Sequence, residues 1–99
     1  MLDVVQETIS GSDPVKFEFS EPGAAFLVKN FSTAEITVRV GDTSGEVIIP
    51  AGCYQLVIVN FEGAFPKTLE KSDYIMVTGD GTGSGTVEAQ RIDRAGVPI

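Results

Sequence analysis

The chain has no histidine, no tryptophan and a single cysteine, Cys53. Without histidine it lacks the commonest general base and metal ligand, so Ser-His-Asp and Cys-His catalysis are excluded within this chain. One cysteine forms no internal disulfide, and one thiolate cannot supply the ligand set of a zinc site. We therefore predict a protein that is not an enzyme and uses no metal and no cofactor. Cys53 itself is interpreted as a small buried residue near a turn.

Positive charge and long apolar runs are also scarce. Seven Lys and Arg residues face fourteen Asp and Glu residues, a net charge of −7, and no two bases are adjacent. A nucleic-acid partner needs a basic patch, and an anionic membrane surface attracts one too, so neither partner is expected.

No apolar run approaches the roughly 18 residues of a membrane-spanning helix. The first residues lack the basic start and apolar stretch of a signal peptide, so we expect a cytoplasmic location without secretion.

Leucine is scarce, whereas Val, Ile and Thr together make up 28 of the 99 residues. These β-branched side chains favour strands. Apolar and polar residues alternate in Val15-Lys16-Phe17-Glu18-Phe19-Ser20 and in Glu35-Ile36-Thr37-Val38-Arg39-Val40, which is typical of antiparallel strands with one buried face. Glu21-Pro22-Gly23 predicts a type II turn. Turn residues recur often enough to predict about eight short strands.

The length fits one domain. We predict an all-β fold in which residues 1–99 form a single antiparallel β-sandwich, jelly-roll-like, with about eight short strands. Residues 1–12 are expected to form a peripheral edge strand or arm.

Two segments, Val47-Ile48-Ile49 and Tyr54-Gln55-Leu56-Val57-Ile58-Val59, are apolar on both strand faces. A two-layer sandwich buries only one face of each sheet. The second face therefore needs a cover, which is either the connection over residues 60–72 or another subunit. The second alternative predicts a homo-oligomer whose interface contains Val47, Ile49, Val57 and Val59.

The connection over residues 60–72 shows no strand pattern and contains Phe61 and Phe65. These rings either cap an open end of the sandwich or contact a partner. Together with Tyr54 they form the candidate partner contact, and carbohydrate is one candidate ligand.

Three loop motifs resemble known functional motifs but do not predict a catalytic, phosphate-binding or glycosylation site. Asp42-Thr43-Ser44-Gly45 lacks the Gly that follows Thr in an aspartic-protease loop, and is interpreted as a solvated hairpin loop. The glycine-rich loop over residues 79–85 contains no lysine and leads into a strand pattern, so it does not predict a phosphate-binding loop. Asn30-Phe31-Ser32 matches the glycosylation pattern, which matters only in a secreted protein.

Four runs occur in a characteristic order along the chain. They are Phe26-Leu27-Val28-Lys29-Asn30-Phe31-Ser32, Ile36-Thr37-Val38-Arg39-Val40-Gly41, Ile48-Ile49-Pro50-Ala51-Gly52 and Gly85-Thr86-Val87-Glu88-Ala89-Gln90. Over residues 24–92 the chain thereby resembles small β-sandwich structural proteins of tailed bacteriophages and prophages.

This resemblance implies a non-catalytic virion component, such as a head decoration, head–tail or tail/fibre protein. Such a component assembles as a ring or trimer with other virion proteins, and is found in the bacterial cytoplasm and in the assembled virion. No functional residues carry over, because such proteins work by packing. The alternative is a small carbohydrate- or protein-binding β-sandwich module.

Overall fold

The computed structural model describes residues 4–40, 46–58, 61–62, 65–66, 72–94 and 97–98, with side chains described in 4–40, 46–57 and 72–92. Within these ranges no helix is long and apolar enough to cross a membrane. The regular structure of the described residues consists of eleven strands: β1 (Val4–Ser10), β2 (Val15–Gly23), β3 (Ala25–Asn30), β4 (Ile36–Val40), β5 (Glu46–Ile49), β6 (Tyr54–Ile58), β7 (Phe61–Glu62), β8 (Phe65–Pro66), β9 (Ser72–Gly79), β10 (Ser84–Arg94) and β11 (Val97–Pro98).

Eight of these strands form two antiparallel four-stranded sheets. Sheet A has the order β1-β10-β3-β6, with the short β11 attached to β10, and sheet B has the order β2-β9-β4-β5. Strands β7 and β8 pair only with each other in a small two-stranded sheet among the described residues. The predicted all-β antiparallel sandwich is therefore confirmed, and β1 is an edge strand of sheet A.

The strand pairing is nested along the chain. β1 pairs with β10, β2 with β9, β3 with β6 and β4 with β5. Each paired set of strands therefore flanks the next one in the sequence, as in one long β-hairpin that is folded over into two sheets. This arrangement is the jelly-roll order of two packed sheets.

The core lies between the sheets and is built from alternate residues of each strand. The rings of Phe19 in sheet B and Phe26 in sheet A meet with their centroids 4.9 Å apart. Full burial of such a side chain contributes about 1.5–3 kcal/mol to folding. The largest fully buried apolar side chains are Phe17, Phe26, Ile9, Ile36, Ile49, Ile75, Val28, Val38, Val77 and Val87.

The predicted type II turn at Glu21-Pro22-Gly23 is wrong, because this segment belongs to β2. The pairing of β2 with β9 shifts between Glu18 and Gly23, and the chain then passes to sheet A at Ala25. The extended segment contacts a residue that is distant in sequence: Nη1 of Arg91 donates a hydrogen bond to the Pro22 carbonyl oxygen over 3.0 Å. Local turn chemistry could not reveal this contact.

The prediction that Cys53 is buried is also wrong, since its side chain is exposed. Backbone bonds hold this turn in place. The N–H of Cys53 donates to the Pro50 carbonyl oxygen over 3.1 Å, and its carbonyl oxygen accepts from the N–H of Asn30 over 2.9 Å. The side chain is therefore free to point into solvent.

Candidate functional surfaces

Strand β6 forms one edge of sheet A. It pairs with β3 over five residues, from Tyr54 opposite Lys29 to Ile58 opposite Ala25, and no described strand pairs with its other side. Its sequence Tyr54-Gln55-Leu56-Val57-Ile58 has no charge, proline or glycine. The other three sheet edges carry charged residues, namely Glu7 in β1, Lys16, Glu18 and Glu21 in β2, and Glu46 in β5.

Apolar side chains of β6 face solvent on the outer side of sheet A. Tyr54 is 71% exposed and Leu56 is 37% exposed. Leu56 lies opposite Leu27, Leu27 opposite Gln90, and Gln90 opposite Val4. We call this line across the sheet the Leu56 row; its other end, Val4, is 40% exposed. The row therefore places similar exposed aliphatic residues at two opposite sheet edges.

Two of the four predicted interface residues lie in the core. Ile49 and Val57 belong to the core of the single chain, and Val47 is half-buried against that core; Val59 lies outside the described residues. Their assignment to an outer surface is corrected for Ile49 and Val57. Because both faces of these strands are apolar, sequence alternation could not show which face points inward. Among the described side chains of β5 and β6, the outward apolar residues are Ile48, Tyr54 and Leu56.

Of the three aromatic residues of the predicted partner contact, the structure describes the side chain of one. Tyr54 is exposed, as a partner contact requires. Phe61 and Phe65 lie in β7 and β8, where Phe61 opposes Pro66 and Phe65 opposes Glu62, but their side chains are outside the described residues. Sequence reasoning did not single out Phe31, which is 61% exposed directly after β3.

A concave surface covers the outer side of sheet B. Its cavity has a volume of about 530 Å³. Every strand of sheet B contributes, because successive outward residues alternate with core residues along each strand. The lining residues are Pro14, Lys16, Thr37, Arg39, Glu46, Tyr74, Met76 and Thr78, and we call this surface the sheet B groove.

Charged side chains of the sheet B groove are held by neighbours. Lys16 Nζ lies over the Tyr74 ring, 4.6 Å from its centroid, and 3.8 Å from a carboxylate oxygen of Glu18. Arg39 Nη2 lies 3.3 Å from a carboxylate oxygen of Glu46. About half of each of the Lys16 and Arg39 side chains is exposed, so both cations are accessible from solvent.

No protein-family model, curated protein or solved structure matches this chain.

Among the described residues, no three His, Cys, Asp or Glu side chains converge to hold a metal ion. The glycine-rich loop is organised by its own turn instead. The Thr82 hydroxyl donates to Asp80 Oδ1 over 2.6 Å and the Thr82 N–H over 2.8 Å. The hydroxyl bond and then the backbone bond lower the pKa of the fully exposed Asp80 carboxyl.

The Asn residue of the glycosylation pattern is structural. Asn30 is fully buried, and its Nδ2 donates to the carbonyl oxygens of Ala34 and Ile49. Glycosylation of the folded chain at this nitrogen is excluded, because both of its hydrogens are engaged inside the protein.

Proposed function

We propose that the chain is a non-catalytic structural protein that assembles with copies of itself, as a component of a tailed-phage or prophage virion. The observation that carries the self-association is the uncharged edge strand β6, whose other side pairs with no strand in the part of the chain that the structure describes. An unpaired edge presents backbone N–H and C=O groups that can pair with another strand, and proteins commonly protect such edges with charged residues or proline. Strand β6 has neither.

The proposed contact joins β6 of one subunit to β6 of a second copy, antiparallel and related by a two-fold axis. Such an isologous contact is self-complementary, which makes it the commonest interface geometry in homo-oligomers. It would extend sheet A into one continuous sheet across two subunits. With the two-fold axis beside Gln55, Tyr54 of one subunit would lie opposite Leu56 of the other, which removes apolar surface from water.

The virion assignment has separate support. Residues 24–92 resemble phage β-sandwich structural proteins, and the jelly roll is an architecture used by viral capsid proteins. Lectins use the same architecture, so the fold alone does not choose between a structural and a sugar-binding role.

The self-association is tested with a matched pair of variants in the Leu56 row. Leu56→Lys places a charge on β6, whereas Val4→Lys places the same charge on β1 at a residue of nearly equal exposure, 40% against 37%. Light scattering coupled to size exclusion, over a range of protein concentrations, should show a dimer for the wild type and Val4→Lys and a monomer for Leu56→Lys. Circular dichroism should show that both variants are folded.

A wild-type monomer at high concentration would contradict the self-association. A trimer, or a dimer that survives Leu56→Lys, would contradict the two-fold β6 contact.

The virion role is tested by mass spectrometry of particles purified after prophage induction from a host that carries the gene. Peptides of this chain should co-purify with capsid and tail proteins at a constant ratio. Recovery only in the soluble fraction, or a gene neighbourhood without capsid, portal or tail genes, would contradict the role.

A second candidate function is a small carbohydrate- or protein-binding module. The sheet B groove favours it, since it combines an aromatic ring, hydroxyl groups and accessible cations on one concave surface.

A further inference from the structure

We infer that the sheet B groove binds a carboxylated saccharide. This inference rests on the second candidate function and names its ligand class; it is independent of the proposed self-association, because the groove and strand β6 lie on different sheets. Either property can therefore be lost without the other.

The groove has the size of a small-ligand site. Its volume of about 530 Å³ falls within the roughly 300–1,000 Å³ that such sites occupy. Its lining mixes apolar groups (Pro14, Met76 and the Tyr74 ring) with hydroxyl groups and charged groups. A saccharide presents the same mixture, since its hydroxyls need hydrogen-bond partners and its C–H faces pack on apolar groups.

Two cations flank the centre of the groove. Met76 pairs with Lys16 on one side and with Arg39 on the other. Neighbouring strands lie about 4.8 Å apart, so the backbones of Lys16 and Arg39 are separated by roughly 10 Å. The two long side chains can converge from opposite sides on one carboxylate above Met76. Arg39 offers a planar fork of donors that matches a carboxylate.

Hydroxyl groups form the adjacent row of the same surface. Thr37 pairs with Thr78, and both line the groove. Each hydroxyl both donates and accepts hydrogen bonds, which suits the hydroxyls of a sugar. Tyr74 lies on the other side of the Met76 row along β9, and Lys16 Nζ lies over its ring. A sugar C–H face packs on this side of the ring once Lys16 turns to the ligand carboxylate.

The groove cations already have carboxylate neighbours, but these pairs are exposed. Glu18 is 72% exposed and Glu46 54% exposed in their pairs with Lys16 and Arg39. Exposed pairs of this kind contribute little, typically about 0–1 kcal/mol, so a ligand carboxylate can compete with them. The net charge of −7 repels anions at long range, so we expect weak binding, with a Kd on the order of 1 mM at low salt.

The test uses trigalacturonate as the probe and its fully methyl-esterified form as the neutral control. In ¹H–¹⁵N spectra of the full chain, trigalacturonate should shift the amides of Arg39, Tyr74 and Met76. The ester should bind at least about tenfold more weakly, because it lacks the charged acceptors. Arg39→Gln should weaken trigalacturonate binding about tenfold, and Leu56→Lys should leave it unchanged.

Three results would overturn the inference. The first is the absence of shifts in the groove at about 10 mM trigalacturonate, well above the expected Kd. The second is equal binding of the acid and the ester, and the third is equal binding of a short polyglutamate peptide. Because Leu56→Lys disrupts the proposed dimer contact and not the groove, failure of this site and failure of self-association give different results.

Discussion

The side-chain amide of Asn30 donates a hydrogen bond over 3.0 Å to the carbonyl oxygen of Ile49, and thereby joins the two sheets. Asn30 ends β3 in sheet A, and Ile49 ends β5 in sheet B. The second amide hydrogen reaches the Ala34 carbonyl oxygen, and Oδ1 accepts from the N–H and the hydroxyl of Ser32. The Asn30 side chain thus satisfies all its hydrogen-bonding capacity inside the protein.

Asn30→Ala should lower the free energy of unfolding by about 3 kcal/mol, because it removes the hydrogen bonds of the buried amide to Ala34, Ile49 and Ser32 and leaves buried polar groups without partners. Urea unfolding followed by circular dichroism measures the change. Gln6→Ala is the control, since it removes an exposed amide outside β6 and should change stability by less than about 0.5 kcal/mol. Equal effects of the two substitutions would contradict a bridging role for Asn30.

Arg91 is a buried cation whose side chain is only 4% exposed. Besides its bond to the Pro22 carbonyl oxygen, its Nη2 lies 3.6 Å from a carboxylate oxygen of Glu21, which is 74% exposed. Arg91→Ala should therefore cost about 3 kcal/mol through lost packing and an unsatisfied carbonyl. Glu21→Gln should cost less than about 1 kcal/mol, because an exposed partner contributes little.

Urea unfolding of both variants tests this asymmetry. A large loss of stability in Glu21→Gln would show that the ion pair, and not the bond to Pro22, holds the end of β2.

Asp80 should titrate below the ordinary range of an aspartic acid, because the Thr82 hydroxyl and then the Thr82 N–H stabilise its carboxylate. A pKa that is lower in the folded chain gives stability that is present above the unfolded value of about 3.9. That contribution is lost as the pH falls through the folded pKa.

The ¹³C shift of the Asp80 carboxyl as a function of pH measures this pKa. Thr82→Val should raise it toward the ordinary value, whereas Thr86→Val, at another exposed threonine, should leave it unchanged. An unaltered Asp80 titration in Thr82→Val would show that the hydroxyl bond does not form in solution.

The sandwich was predictable because apolar and polar residues alternate in every strand that has one polar face. Lys16 and Glu18 mark the outer face of β2, and Phe17 and Phe19 mark its inner face. The pattern of β2 and β4 therefore placed the core residues correctly. The end of β2 was not predictable, since its contacts, the Arg91 bond to the Pro22 carbonyl and the pairing of Gly23 with Ser72, come from residues far away in sequence.

The surfaces were less predictable. In β5 and β6 both faces are apolar, so the sequence could not separate the core residue Ile49 from the exposed Ile48. The sheet B groove was missed because its residues come from four strands that are distant in sequence and meet only through the pairing of β2, β9, β4 and β5. No single segment contains enough of them to form a motif.

The position of β10 has a consequence for how the chain folds. This strand lies between β1 and β3, pairing Val4 with Gln90 and Leu27 with the same Gln90. During synthesis, β1 and β3 are made long before the strand that must insert between them. Such long-range pairing makes folding slow, and sheet A cannot close until residues 84–92 have left the ribosome. Until then the partly made chain keeps unpaired strand edges, and a chaperone that covers them would raise the yield of folded protein.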